Sequence, residues 1–210
     1  GAKNIPVRGG NRDYTVTVQN TDVLSIDIDL SSPIDMGNLV VKPKQKGETT
    51  ITVKDNVTNE TVDLKIKIVD SYLNLKVAHP AQVPYTGGEN LFFINNSDRD
   101  FYLFDEKMEK KECTGNYQFL IKNSTCYMIL NFDKELNDKR TYEYNISNTS
   151  ERMFTLIEIL LGIDWNMKAD LINRSTRSAS PVTMNAVDTE TNIIQYFVAG
   201  SNDIPENILD

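Results

Sequence analysis

Between Val62 and Ile68 apolar and polar residues alternate without a break, Val62, Leu64, Ile66 and Ile68 against Asp63, Lys65 and Lys67. A period of two marks a half-buried strand, because successive side chains leave opposite faces of a pleated backbone. The same rhythm runs through Tyr14, Val16 and Val18 and through Leu24, Ile26, Ile28 and Leu30. Leu39 to Val41 is a short apolar run, Pro43 and Gly47 bound a polar break, and Ile51 and Val53 point inward on the next strand. Asp55 to Glu60 carries turn chemistry. About six short strands in roughly 70 residues, with turn signals between them and no helical period, predict an antiparallel sandwich. Its boundary falls near Val69 to Tyr72.

The rest of the chain is more mixed. Leu91 to Ile94 and Phe101 to Phe104 are strand candidates around an Asn95 to Asp100 turn, and Tyr117 to Ile121 pairs with Cys126 to Phe132 across Asn123-Ser124. Tyr142 to Ile146 adds a strand. Phe154, Ile157, Leu160 and Leu161 then recur at helical spacing, with Thr149 or Ser150 as cap, Glu151 in the first turn and Gly162 as stop. A second short helix is expected over Met167 to Asn173, a loop over Ser175 to Pro181, and a last hairpin around Asp188 to Thr191. Strands interrupted by helix predict an α+β domain.

The run Gly47-Glu48-Thr49-Thr50-Ile51-Thr52-Val53-Lys54-Asp55, with the closing strand to Val69, resembles the bacterial immunoglobulin-like group 2 domain. Gly9-Gly10 before Tyr14, and Val23-Leu24-Ser25-Ile26, fit the same pattern over residues 3–70. The resemblance implies an exported protein of the Bacteroidetes type, periplasmic or on the outer cell surface. It also implies a signal or lipoprotein leader removed ahead of Gly1, which itself reads as a cloning remnant. It implies a spacer or adhesion module and no catalytic residue. Gly162 to Met167, around Trp165, faintly resembles a turn in such exported proteins.

The fold expectation is therefore mainly β in two domains: an immunoglobulin-like β-sandwich over 1–70 and an α+β domain of antiparallel strands with one or two short helices over 71–210. With 22 basic against 30 acidic residues, the net charge is −8. That balance argues against nucleic acid, whose binding draws most of its strength from phosphate neutralisation. No apolar run reaches the roughly 18 to 20 residues of a membrane-spanning helix.

His79 is the sole histidine, so a Ser-His or Cys-His system has one base to draw on, and no G-x-S-x-G elbow accompanies it. It reads as a linker residue, its backbone extended by the following Pro80. Cys113 and Cys126 lie too far apart along a hairpin with an Asn123-Ser124 turn to favour a disulfide, which requires close alpha carbons. They read as two buried free thiols. The acid pairs Asp98 with Asp100 and Asp188 with Glu190 read as solvated turn charges, and Gly87-Gly88 lacks the residues of a phosphate loop. No cofactor or metal is expected.

Aromatics gather in the first half of the second domain. Adjacent pairs such as Phe92-Phe93 and Phe101-Tyr102 must face opposite ways on a strand. An outward ring can stack on a sugar or anchor a protein. Phe93, Phe101 and Tyr102 are accordingly the candidate ligand contacts of a non-enzymatic binding or adhesion protein whose partner is a glycan or another surface protein. A carboxylate-dependent glycoside hydrolase and a purely structural surface module are the alternatives.

Overall fold

The computed structural model describes residues 2–31, 34–165, 182–201, 203–205, 208 and 209. The expected helix over Met167 to Asn173 and the loop over Ser175 to Pro181 lie outside them. Strands take up 53% of the described residues and helix 6%. The chain divides into two compact units, Gly1–Val69 and Asp70–Asp210.

In the first unit β1 (Lys3–Val7), β4 (Gly37–Pro43) and β3 (Leu24–Asp29) form one antiparallel sheet, and β2 (Tyr14–Val18), β5 (Gly47–Asp55) and β6 (Thr61–Ile68) another. Apolar residues from both sheets meet around Leu24, Val41 and Ile51. Asp55 ties the β5–β6 turn, accepting from the backbone N–H of Val57 (2.9 Å) and Thr58 (3.1 Å) and from Asn11 (2.9 Å).

The second unit is a closed barrel. β7 (Tyr72–Val77), β8 (Asn90–Ile94), β9 (Asp100–Phe104), β10 (Lys111–Lys122), β11 (Thr125–Leu136), β12 (Lys139–Asn145), β13 (Thr183–Asp188) and β14 (Ile194–Ala199) follow one another around it, each antiparallel to the next. Closure comes from β14 pairing back onto β7, with Phe197 opposite Val77 and Ala199 opposite Leu75. The expected immunoglobulin-like sandwich followed by an α+β domain is overturned on this point: the chain is mainly β, its larger unit is an eight-stranded antiparallel barrel, and helix is a minor insert. The three-plus-three strands of the first unit also depart from the four-plus-three sheets of an immunoglobulin constant domain.

Hairpin turns are built where the chain tolerates positive φ. Asn123 and Ser124 take φ of 49° and 62°, Asn137 and Asp138 take 51° and 61°, the pairing that two-residue hairpins require. The first turn sets Ile121 opposite Cys126 and, further along, Asn116 opposite Asn131. Alternation then sends Tyr117, Phe119, Met128, Leu130 and Phe132 inward and Asn116, Gln118, Lys122, Asn131 and Asp133 outward. Among the described residues no helix is long and apolar enough to cross a membrane.

Eight strands enclose a space that side chains can just fill. Phe93, Phe101 and Phe197 are buried inside it with Tyr142, Tyr144 and Met184. One end is stopped by α1 (Glu151–Leu161), which buries Met153, Phe154, Ile157 and Leu161. Ser150 caps it by accepting from the Met153 N–H at 3.3 Å, and Gly162, at φ 62°, donates its N–H to Glu158 O. No basic residue lies in the last helical turn, but Arg99 reaches in from the β8–β9 turn to donate to Leu161 O at 2.5 Å and to Asn95 Oδ1 at 2.8 Å. That cation complements the carbonyl end of the helix dipole. Trp165 packs beneath, its indole N–H donating to Phe154 O at 3.2 Å.

The opposite end is stopped by the β7–β8 loop, which inserts Tyr85 against Phe197 at 5.7 Å between ring centroids. Buried Gln195 holds that loop, donating to the carbonyls of Gln82 and Val83 and accepting from Gln82 N–H at 3.3 Å. The Tyr85 and Tyr144 phenols are buried in the interior, which pushes both well above the ordinary tyrosine value, and neither hydroxyl has a hydrogen-bond partner.

Gly115 marks the tightest approach in the wall. A Cβ there would lie 2.0 Å from Asn131 O and 2.7 Å from the Phe101 ring. Gly115→Ala should therefore lower stability by about 1–3 kcal/mol through overpacking. Phe93→Ala, which removes a fully buried ring, should cost about 3–5 kcal/mol. Thermal or urea unfolding of each variant checks both.

Candidate functional site

Four neighbouring strands of the barrel, β9 to β12, place a polar wall on its outer face. Register sets Asp100 (β9) opposite Asn116 (β10), Asn116 opposite Asn131 (β11), and Asn131 opposite Thr141 (β12). One step along, Tyr102 faces Thr114. Thr114 is joined to Asp133 on the next strand by its hydroxyl, at 2.8 Å, and by its backbone N–H, at 3.2 Å. Between these two rows lies a shallow groove of about 450 Å3.

The wall is pre-organised. Thr141 Oγ1 donates to Asn131 Oδ1 at 2.9 Å, and Asn131 Nδ2 donates to Asn116 Oδ1 at 3.3 Å. Asn96 Nδ2 donates to Asp100 Oδ2 at 2.7 Å. Each carboxamide has four hydrogen-bonding positions, so these bonds fix its orientation and still leave capacity to meet a ligand. Tyr102 is half-buried, and the Lys111 ammonium stands 5.6 Å from its ring centroid.

Of the three aromatics singled out in the sequence, Phe93 and Phe101 pack against each other at 6.0 Å and Tyr102 stands apart on the outer face. Phe93 and Phe101 are fully buried, 5.0–6.0 Å from neighbouring rings of the barrel core, and Tyr102 lines the groove as its half-buried ring. The partner of each pair behaves as alternation demands, but Phe92 on the outer side is buried too, against Tyr72 and Phe104. Thr114, Asn116, Asn131 and Asp133 were missed. Their signal was present: the two-residue turn at Asn123-Ser124 dictates which outward residues of β10 and β11 become neighbours.

The acid pairs separate by environment. Asp98 is exposed and Asp100 half-buried. Asp188 is not the solvated turn charge expected from sequence, being buried at the barrel end. Burial pushes its carboxyl up, but the N–H groups of Thr191 and Glu190, the Thr191 hydroxyl and the Lys139 ammonium together outweigh that and hold it below its ordinary 3.8. Glu190 is exposed and pairs with Lys139 at 2.9 Å.

Cys113 and Cys126 are buried free thiols. Burial, reinforced by the Asp133 carboxylate, pushes the Cys113 thiol up to about 11, and burial raises that of Cys126. Such thiols are poor nucleophiles. His79 is exposed in the β7–β8 loop, its ring against Gly87. Among the described residues no three His, Cys, Asp or Glu side chains are grouped to hold a metal ion.

The first unit has a cleft of its own, about 390 Å3 between the β1 and β6 sides of the two sheets, lined by Ile5, Val7, Leu39, Val53, Val62 and Leu64 with Arg8 and Glu60.

No protein-family profile, curated protein or solved structure matches the chain. Nothing in these comparisons identifies residues 3–70 with the bacterial immunoglobulin-like group 2 family. The immunoglobulin-like description is corrected by the barrel, and export, a lipoprotein leader and adhesion, which rested on that resemblance, lose their support.

A thiol reagent at pH 8 should modify neither cysteine in the folded protein and both after denaturation, read by mass spectrometry. Because the Asp188 carboxyl is held below 3.8 in the folded state, its contribution is present above that value and is lost as pH falls through the lowered one. Asp188→Asn should cost about 1–3 kcal/mol near neutrality and flatten the acid limb of a stability-versus-pH curve.

Proposed function

We propose that the chain is a non-enzymatic binding protein whose second unit takes a carbohydrate on the outer face of β9, β10 and β11. The observation that carries this reading is the groove itself: two ordered rows of amide, hydroxyl and carboxylate groups beside one half-buried tyrosine. A sugar presents hydroxyls that both donate and accept, and a C–H face that packs on an aromatic ring. Asn116 and Asn131 suit the first need and Tyr102 the second. Their fixed orientations reduce the ordering cost of binding.

Both carboxylates of the groove are already engaged within the protein. Asp100 and Asp133 both line the groove, which is the observation behind a glycoside hydrolase. Each carboxylate accepts hydrogen bonds, Asp100 from Asn96 and Asp133 twice from Thr114.

A glycan array probed with the full chain, followed by calorimetry on the best glycan, tests the proposal. Tyr102→Ala and Asn131→Ala should each weaken binding at least about tenfold, equivalent to about 1.4 kcal/mol, without changing thermal stability comparably. Turnover of the glycan that disappears in Asp100→Asn or Asp133→Asn would assign a hydrolase instead. No glycan above background, or binding indifferent to Tyr102, would remove the site.

A further inference from the structure

Four strands border the two sheets of the first unit: β1 and β3 on one, β2 and β6 on the other. They are not equivalent as edges. β1 contains Pro6, which supplies no N–H to a neighbour and so blunts that edge. β2 and β3 have five and six residues, whereas β6 has eight, with neither Pro nor Gly. Among the described residues β6 pairs only with β5. Val62 on its inner face is 60% exposed and, with Leu64, lines the open cleft beside it. A long regular edge with an uncovered apolar residue is a template for another strand.

The charges on β6 select the occupant. Asp63, Lys65 and Lys67 share its outer face. Suppose a second β6 adds antiparallel about a two-fold axis, with both apolar faces on the same side. Centring the axis on Asp63 sets Asp63 against itself, and centring it on Lys65 sets Lys65 against itself. An axis at Ile66 sets Lys65 against the partner's Lys67. Centring on Leu64 brings Asp63 opposite the partner's Lys65, twice by symmetry, with no like-charge pair. It also sets Val62 beside the partner's Ile66, which covers the exposed side chain. Opposite charges directly across a ladder stabilise it, and like charges destabilise it.

We infer that two copies of this chain associate through β6, antiparallel about Leu64, joining the two β2-β5-β6 sheets into one of six strands. The contact is isologous, so it closes at a dimer and does not propagate. A contact made by a single pair of strands is small, so the association is weak and concentration-dependent, and its charge pairs make it sensitive to salt.

Sedimentation equilibrium of the full chain across the micromolar range, at low and high salt, should show a monomer–dimer equilibrium that weakens with salt. Asp63→Lys and Lys65→Asp each convert two attractive pairs into two repulsive ones and should weaken the dimer at least about tenfold. The double variant Asp63→Lys/Lys65→Asp restores opposite charges and should recover it. Leu64→Cys supplies an independent readout, because directly opposed strand residues have alpha carbons about 4.5–5.5 Å apart, within disulfide reach. Oxidation should then give a covalent dimer on a non-reducing gel. A monomer at every concentration, a dimer indifferent to both reversals, failure of the double variant to recover, or no cross-link at Leu64 would each overturn the proposal. Circular dichroism separates these outcomes from misfolding.

Discussion

The barrel depends on a continuous chain of ring contacts through its interior. It runs from Tyr144 to Tyr142, Phe132, Phe101, Phe93, Phe119, Trp165 and Phe154, each step between 5.0 and 6.2 Å. Most steps are edge-on or tilted, the geometry in which ring quadrupoles attract, with about 0.5–1.5 kcal/mol per pair beyond burial. Strands β8 to β12 are thereby joined through their inward side chains as well as by the hydrogen-bonded ladders of the wall. The helix joins the same chain through Phe154, so the end stop and the wall share one core.

That core also explains why the polar groove can exist. An outward face free of packing duties can carry Asn116, Asn131, Thr114 and Asp133, because the inward residues between them bury the apolar surface. Gly115 lets β10 and β11 approach closely enough for the two polar rows to meet. Rigidity inside and hydrogen-bonding capacity outside are consequences of the same alternation.

Local features were legible in the sequence where one stretch of chain determines them. The strand rhythm of Val62 to Ile68, the Asn123-Ser124 turn and the capped helix from Glu151 to Leu161 all follow from neighbouring residues. Closure was not legible, because it rests on Phe197 finding Val77, a pairing that no short-range pattern encodes. Nor could alternation alone say that both Phe92 and Phe93 are buried, since the fate of the outer face depends on what packs there. Asp188 was misread for a related reason: a turn acid looks solvated until the strand end that carries it is known to face a barrel mouth. Of the candidate site, Tyr102 was visible and its polar neighbours were not, since they become neighbours only once register is fixed.

The seam between β7 and β14 also sets where the chain enters and leaves the barrel. Gly200 donates its N–H to Asn74 O at 2.9 Å, so the strand that opens the barrel and the segment that leaves it run side by side. A folded unit whose entry and exit adjoin asks little of its host: it can be spliced into a surface loop, or its chain reopened elsewhere, without stretching the surroundings. The closing pair that makes the wall continuous is also what makes the barrel portable.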